Sequence, residues 1–250
     1  MYSERIMGTD GSTCMIYVMS DIHGSMSRFR SIMKQIDLQP DDMLYVLGDV
    51  IDRNPDGIRI LRELMAMPNA RMTLGNHELM MLQALAYPDA DDQQDSSSAL
   101  YRWYSNGGRV THDHLKHLRK TLRAEIFSYL DALPVNIKVN LNGTQYILTH
   151  AAPLEDYPKY DYRYDSAREF AVWKRYQRFD SCKDGYTVIF GHTPTSHYQL
   201  VIPMEIWHGD GLIGIDCGSA YPERNRKGRL ACLRPDDMRE FYSEESHEQV

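Results

Sequence analysis

This chain predicts an α/β fold, and two observations carry that expectation. Three times before residue 86, a short apolar run ends in a polar loop and is followed by apolar residues at helical spacing. Such repetition of strand, loop and helix implies parallel strands whose loops share one carboxyl edge of a sheet, where open α/β proteins place their ligands. The later part of the chain turns β-rich, and no internal repeat of fixed period is visible.

The first strand, Met15 to Met19, ends at Ser20-Asp21-Ile22-His23-Gly24. Ser25 or Ser27 is placed to cap a helix in which Met26, Phe29, Ile32, Met33 and Ile36 recur at helical spacing. Pro40-Asp41-Asp42 turns the chain into a second strand, Leu44 to Leu47, followed by Gly48-Asp49-Val50-Ile51-Asp52-Arg53. A helix with Ile58, Leu61, Leu64 and Met65 on one face comes next. The third strand, Arg71 to Leu74, runs into Gly75-Asn76-His77-Glu78 and a helix from Leu79 to Leu85. Pro88 to Ser98 is acidic and rich in Gln and Ser, and is expected to be a mobile surface loop. A helical insert follows at Tyr101 to Asn106 and at Asp113 to Asp131, the latter with Leu115, Leu118, Leu122, Ile126 and Leu130 facing one way. Strands are expected at Val135 to Leu141 and Gln145 to Thr149, joined by an Asn142-Gly143 turn, and at Thr187 to Phe190. Others are expected at Gln199 to Ile202, Leu212 to Asp216, Leu230 to Leu233 and Glu240 to Tyr242. Residues 1–13 read as a flexible N-terminus and 243–250 as a frayed acidic tail.

The 250 residues, 42% hydrophobic and 25% charged, suit a globular domain and exclude disorder. Apolar runs are strand-sized, whereas a bilayer span needs about 20 residues, so no membrane partner is expected. The polar N-terminus lacks the basic flank and apolar stretch of a secretory signal, which makes a cytoplasmic location the expectation. Cys14, Cys182, Cys217 and Cys232 form no Cys-x-x-Cys pair and read as reduced core residues, with Cys14 exposed. The 14 methionines read as core filler. A net charge of −7 argues against a nucleic-acid partner, which normally needs a basic surface. Oligomeric state is not legible.

Taken singly, each polar loop has an ordinary explanation. Asp21-x-His23 and Gly48-Asp49 could be turns, Asn76 a helix cap, and Thr149-His150 and Gly191-His192 strand ends. All five, however, sit immediately after an apolar strand run. Two adjacent divalent metals need oxygen and imidazole donors, a carboxylate able to bridge, and open positions for water and substrate. Asp21 and His23, two apart at a strand end, can reach one ion. Asp49 would bridge, and Asn76, His150 and His192 would complete the second ion. His77 would face elsewhere, free to give or take a proton, with Asp52 as its carboxylate partner. Arg53 offers a planar fork for phosphate oxygens. His112, His114 and His117 are too few for a second site and are expected to be solvated, with His197, His208 and His247 at the surface.

These residues resemble the calcineurin-like metallophosphoesterases, and within them the PPP-type serine/threonine protein phosphatases. The likeness rests on Asp21-x-His23-Gly24, Gly48-Asp49-x-x-Asp52-Arg53, Gly75-Asn76-His77-Glu78, His150 and Gly191-His192, and spans Met15 to Tyr242. Trp103 to Gly108, ending Asn106-Gly107-Gly108, and Trp173-Lys174-Arg175 resemble the bacterial and bacteriophage branch. Gly214-Ile215-Asp216-Cys217-Gly218, followed by Lys227 to Leu233, resembles the family's final sheet segment. The resemblance implies a metallophosphoesterase domain over residues 14–242, a four-layer α-β-β-α sandwich of two facing mixed sheets with a helical insert. It also implies that Arg175 is a second phosphate-binding arginine. Asn54 stands where the family usually has glycine, at small cost because Asn tolerates a left-handed backbone. Tyr157, Tyr160, Tyr162 and Tyr164 form either a peptide-binding rim or a surface loop folded on itself.

The expected activity is metal-dependent phosphomonoester hydrolysis, with phosphoserine or phosphothreonine in a protein or peptide as substrate. Water or hydroxide held between two divalent ions would attack phosphorus directly, with no phosphoenzyme. Manganese is the first expectation, and iron, zinc and cobalt also suit the donors. The ions outweigh Asp21 and Asp49, and Arg53 and Arg175 add to the surplus, so an acidic protein can still hold phosphate. His77 would protonate the leaving oxygen or assist the nucleophile. The rival enzyme is a symmetrical diadenosine tetraphosphate hydrolase, because the same core motifs serve pyrophosphate cleavage. Asp52, Asn106-Gly107-Gly108 and Arg175 favour the first. A non-catalytic module would be short of ligands, and none is missing.

Overall fold

The computed structural model describes residues 14–85, 93–202, 204–221 and 228–244. The expected flexible N-terminus, the tail beyond Glu244, His247 and Lys227 lie outside those residues. The strands are β1 (Ile16–Met19), β2 (Met43–Leu47), β3 (Ala70–Thr73), β4 (Asn136–Leu141), β5 (Thr144–Thr149), β6 (Thr187–Phe190), β7 (Trp207–His208), β8 (Leu212–Gly214), β9 (Ala231–Arg234) and β10 (Arg239–Tyr242). The helices are α1 (Met26–Ile36), α2 (Gly57–Ala66), α3 (Asn76–Leu85), α4 (Gln93–Ser105), α5 (Arg109–Lys116), α6 (Lys120–Asp131) and α7 (Ala167–Trp173).

Two five-stranded mixed sheets result, as expected. The first has the order β10-β9-β1-β2-β3, with β1, β2 and β3 parallel and β9 and β10 added as an antiparallel pair. The second has the order β4-β5-β6-β8-β7, with β5, β6 and β8 parallel and an antiparallel strand at each edge. Asn142 and Gly143 both take positive φ, 50° and 83°, the two-residue turn that matches strand twist between β4 and β5.

Alternation along each strand sorts side chains between the layers. Ile16, Val18, Tyr45 and Leu47 of the first sheet meet Leu148, Ile189 and Ile213 of the second, making the core between the sheets. Their neighbours Tyr17, Met19, Leu44 and Val46 point outward onto Phe29 and Ile32 of α1 and Ile58 and Leu61 of α2. Each such Leu, Ile or Phe side chain contributes about 1.5–3 kcal/mol on burial, so the helices are clamped where their periodicity predicts. Outside the second sheet, Val188, Phe190 and Leu212 are covered by Phe170 of α7 and by Tyr157, Tyr160 and Tyr164. Those three tyrosines surround Phe170 with ring centroids 5.6, 5.8 and 5.3 Å away, and Tyr162 is left exposed. The tyrosine stretch is therefore a loop folded on itself.

Several expectations are corrected. Helix α4 begins at Gln93, so the surface loop expected over Pro88 to Ser98 gives way to helix from that residue. The helix expected over Asp113 to Asp131 is two, α5 and α6. The His117 and Leu118 N–H groups bond three residues back and Arg119 is extended, with no Gly or Pro to announce the break. Gln199 to Ile202 is not a strand. Tyr198 and Gln199 both donate to the Thr195 carbonyl, which turns the chain and leaves Leu200 and Val201 exposed, while β7 takes the sheet edge. Cys14 is buried at the start of β1, not exposed. Ser25 occupies the N-cap position of α1, but its hydroxyl makes no capping bond. His112 is half-buried rather than fully solvated: Nδ1 lies 2.5 Å from the Tyr104 hydroxyl and the ring stacks on Trp103. Helix α7 was not anticipated, although Ser166-x-x-Glu169, in which the serine hydroxyl accepts the Glu169 N–H, carries a helix-start signature. Among the described residues no helix is long and apolar enough to cross a membrane.

Candidate active site

The parallel strands of both sheets deliver polar residues to one place. Asp21 and His23 follow β1, Asp49 to Arg53 follow β2, Asn76 and His77 open α3 after β3, His150 follows β5, and His192 follows β6. Of the ten candidate residues, eight are buried, and only Arg53 and Arg175 are exposed. Six hold a left-handed backbone: Asp21, His23, Asp49, Asp52, Arg53 and His192, with φ between 49° and 70°. For residues other than glycine this costs on the order of 1–3 kcal/mol each, and it persists because the loops hold one another. The N–H groups of Asp21, His23 and Gly24 donate to the carbonyls of Gly48, Asp49 and Val50 at 3.2, 2.9 and 2.8 Å, and the His192 N–H donates to Oδ2 of Asp21 at 2.9 Å. The left-handed turn expected at Asn54 falls instead on Asp52 and Arg53; the Asn54 amide donates to the His23 carbonyl at 2.8 Å.

Backbone carbonyls fix the imidazole tautomers. The Ile51 carbonyl lies 3.2 Å from Nδ1 of His23, and the Leu47 carbonyl 2.7 Å from Nδ1 of His150, so in each neutral ring Nδ1 carries the proton. The Nε2 lone pair of His23 then faces Asp21 Oδ1 at 3.8 Å and Asp49 Oδ2 at 3.6 Å. That of His150 faces Asp49 Oδ1 at 3.5 Å and the Asn76 carbonyl oxygen at 2.9 Å, and Nδ1 of His192 meets that same Asn76 oxygen at 2.9 Å. The Nε2 lone pairs of His23 and His150, facing carboxylate and amide oxygens in a buried cleft, together with the unpartnered buried Nε2 of His192, form a donor set that fits cations. Asp49 belongs to both candidate groups: His23, Asp49 and His77, and Asp21, Asp49 and His150, each with ligand atoms within 4.8 Å of one another.

The electrostatics follow from crowding. Burial works against the Asp49 charge, but His150, His77 and His23 hold its carboxyl well below the usual carboxylate range. Asp21 is raised by burial. Burial and then Arg53 push His23 well below the ordinary imidazole value, and burial, His150 and Arg175 do the same to His192. Arg53 and Arg175 thus bear on different histidines of the cluster, and Arg175 reaches Thr193 Oγ1, next to His192, at 3.3 Å.

His77 Nδ1 lies 2.7 Å from Asp52 Oδ2, the partnership the sequence suggests. Burial opposes a charge on this ring, and Asp49 and Asp52 overcome it, raising its pKa. The indole Nε1–H of Trp103 donates to the same Asp52 oxygen at 2.8 Å. Behind it, Asn106-Gly107-Gly108 acquires a physical reason. A Cβ on Gly108 would enter the Trp103 indole, and Gly107, at φ 98°, accepts the Arg53 N–H at 3.2 Å.

Sequence reasoning left two buried carboxylates without a role. Glu78 accepts the backbone N–H groups of Asp49, Val50 and Ile51 at 2.8, 2.9 and 3.3 Å, and burial and Asp49 push its pKa up to about 7. Asp216 follows β8 as the other site residues follow their strands, and accepts the Gly218 N–H at 2.9 Å. Burial and then Asp21 raise it well above the ordinary range. Its position after an apolar run was the available signal.

Two facing mixed sheets with a His, Asp and Asn cluster at their shared edge define a hydrolase that acts on phosphoesters. Residues 15–214 match the family described as Calcineurin-like phosphoesterase, and the chain belongs to it. Serine/threonine-protein phosphatase 2 of Salmonella typhimurium is 31% identical over 187 residues, covering 71% of this chain and 78% of that protein. The symmetrical bis(5'-nucleosyl)-tetraphosphatase of Erwinia tasmaniensis is 35% identical over 86 residues, covering 34% of this chain and 31% of that protein. A metallophosphoesterase structure from Sphaerobacter thermophilus superposes with a TM-score of 0.57 at 17% identity, over 92% of this chain and 87% of that one, a likeness of fold.

Proposed function

We propose that this chain is a serine/threonine protein phosphatase working with two divalent ions, manganese first among them. Asp21, His23 and Asp49 would hold one ion, and Asp49, Asn76, His150 and His192 the other. When bound, such a pair supplies Lewis-acid polarisation and an acidified water. The observation that carries the reading is the buried Asp52–His77 pair beside Arg53, an acid and a phosphate fork in hydrogen-bond contact. Arg53 and Arg175 bind the non-bridging oxygens and neutralise charge that grows in the transition state. Asp52 fixes the His77 ring and leaves Nε2 toward the leaving oxygen, which it protonates as the ester bond breaks. Trp103 in turn keeps Asp52 in place.

The length of the likeness to a protein phosphatase supports this reading, because it reaches 71% of the chain, whereas the likenesses to tetraphosphatases cover between 28% and 56% of it. The test is hydrolysis of a phosphoserine and phosphothreonine peptide panel beside diadenosine tetraphosphate, with added manganese. Turnover of the peptides well above that of the dinucleotide is expected. The reverse order would make the chain a nucleotide hydrolase.

A further inference from the structure

The tyrosine stretch takes no part in the chemistry above, yet its packing leads to Arg175. Lys174 ends α7, between Trp173 and Arg175. Its side chain is buried, with 8% exposure, and its ammonium lies 4.3 Å from the ring centre of Tyr176 and 5.0 Å from that of Tyr160. Asp180 Oδ2 is 3.6 Å away, and the ammonium donates to the Arg175 carbonyl at 2.9 Å. Every wall of this cage is anchored. Tyr160 stacks on Phe170, the Tyr176 hydroxyl donates to Asp156 at 3.3 Å, and Asp180 accepts the Gln177 N–H at 2.8 Å. Lysine is almost never fully buried without a partner, and here burial lowers its pKa while Asp180 and Asp156 pull it back. Ring faces, a carboxylate and one carbonyl are its compensation.

That carbonyl belongs to the residue expected to grip phosphate. An arginine side chain is long and rotamer-rich, so an anchored backbone reduces the freedom it must lose when it binds. We propose that Lys174, caged by Tyr160, Tyr176 and Asp180, is a positioning residue that sets Arg175 for the phosphoryl group. The tyrosine stretch is then the buttress of a phosphate-binding arm. This rests on the assignment of Arg175 as a phosphate ligand.

The test uses the full chain with manganese. Calorimetry gives the dissociation constant of inorganic phosphate, and an aryl phosphate gives KM and kcat, for Lys174→Met, Lys174→Arg, Asp180→Asn, Arg175→Ala and the Lys174→Met/Arg175→Ala double variant. Lys174→Met should weaken phosphate binding roughly tenfold, less than the 10²-fold that a 1 Å misplacement can cost, and raise KM more than it lowers kcat. Lys174→Arg should restore most of the loss, because guanidinium also stacks on aromatic faces. In the Arg175→Ala background, Lys174→Met should add nothing, since it acts through the missing side chain. Should Lys174→Met fail to fold, Asp180→Asn is expected to weaken phosphate binding in the same direction by a smaller factor. Weakened binding in Arg175→Ala, with normal binding in Lys174→Met or in Asp180→Asn as its substitute, would overturn the positioning role alone. Unchanged binding in Arg175→Ala would remove the phosphate assignment of Arg175 and the proposal with it.

Discussion

The guanidinium of Arg53 stands 3.2 Å from Nε2 of His77. A guanidinium has only donors, so Nε2 is the acceptor and the proton of the neutral ring sits on Nδ1, facing Asp52. Arg53 and His77 therefore hold each other through this contact. On the proposed roles, a phosphate that takes Arg53 would free the Nε2 lone pair, and His77 would take up a proton there, favoured by the Asp49 and Asp52 charges, before protonating a leaving oxygen.

Replacing His77 tests that arrangement. His77 groups geometrically with His23 and Asp49, so it could be mistaken for a metal ligand. As a proton carrier, His77→Asn should keep its metals by elemental analysis and lose turnover by a factor of roughly 10²–10⁴. The loss should be greater on a phosphoserine peptide, whose alkoxide needs a proton, than on an aryl phosphate with an acidic phenol. Loss of metal would make His77 a ligand, and equal damage on both substrates would assign it to the nucleophile.

Arg53→Ala removes the proposed phosphate contact and the partner of His77 without touching a proposed metal donor. Its metal content should match the parent, while kcat/KM falls on every phosphomonoester. Metal loss in this variant would make Arg53 a structural support of the His23 loop.

Glu78→Gln should damage stability before chemistry. The carboxylate accepts three consecutive backbone N–H groups with two oxygens, and a glutamine has one acceptor oxygen and turns an NH₂ toward donors. Leaving buried donors unpaired costs about 1–3 kcal/mol, visible as a lowered midpoint in denaturant unfolding. An unchanged midpoint would mean that the Asp49 loop does not depend on Glu78.

The strands and the residues after them were legible because a buried parallel strand is a run of apolar residues, and a polar group at its end stands out. Asp21, Asp49, His150 and His192 are of this kind. Asp216 has the same signature, but its likeness to a final sheet segment left it without a role. Glu78 was hidden for another reason: its partners are backbone N–H groups, which no side-chain pattern reveals. The break at His117 to Arg119 carries neither Gly nor Pro, and the heptad-like leucines run through it. The exposed Leu200 and Val201 show the opposite failure, β-propensity without a neighbouring strand to pair with.

Asp49 is proposed to join two metal positions. Elemental analysis of the manganese-loaded chain, read together with turnover of an aryl phosphate, tests it most directly when Asp49→Asn is measured beside the parent. Two ions per parent chain, and a variant that loses both metal and turnover, is the predicted result. A variant that keeps two tightly bound ions and near-normal activity would contradict it.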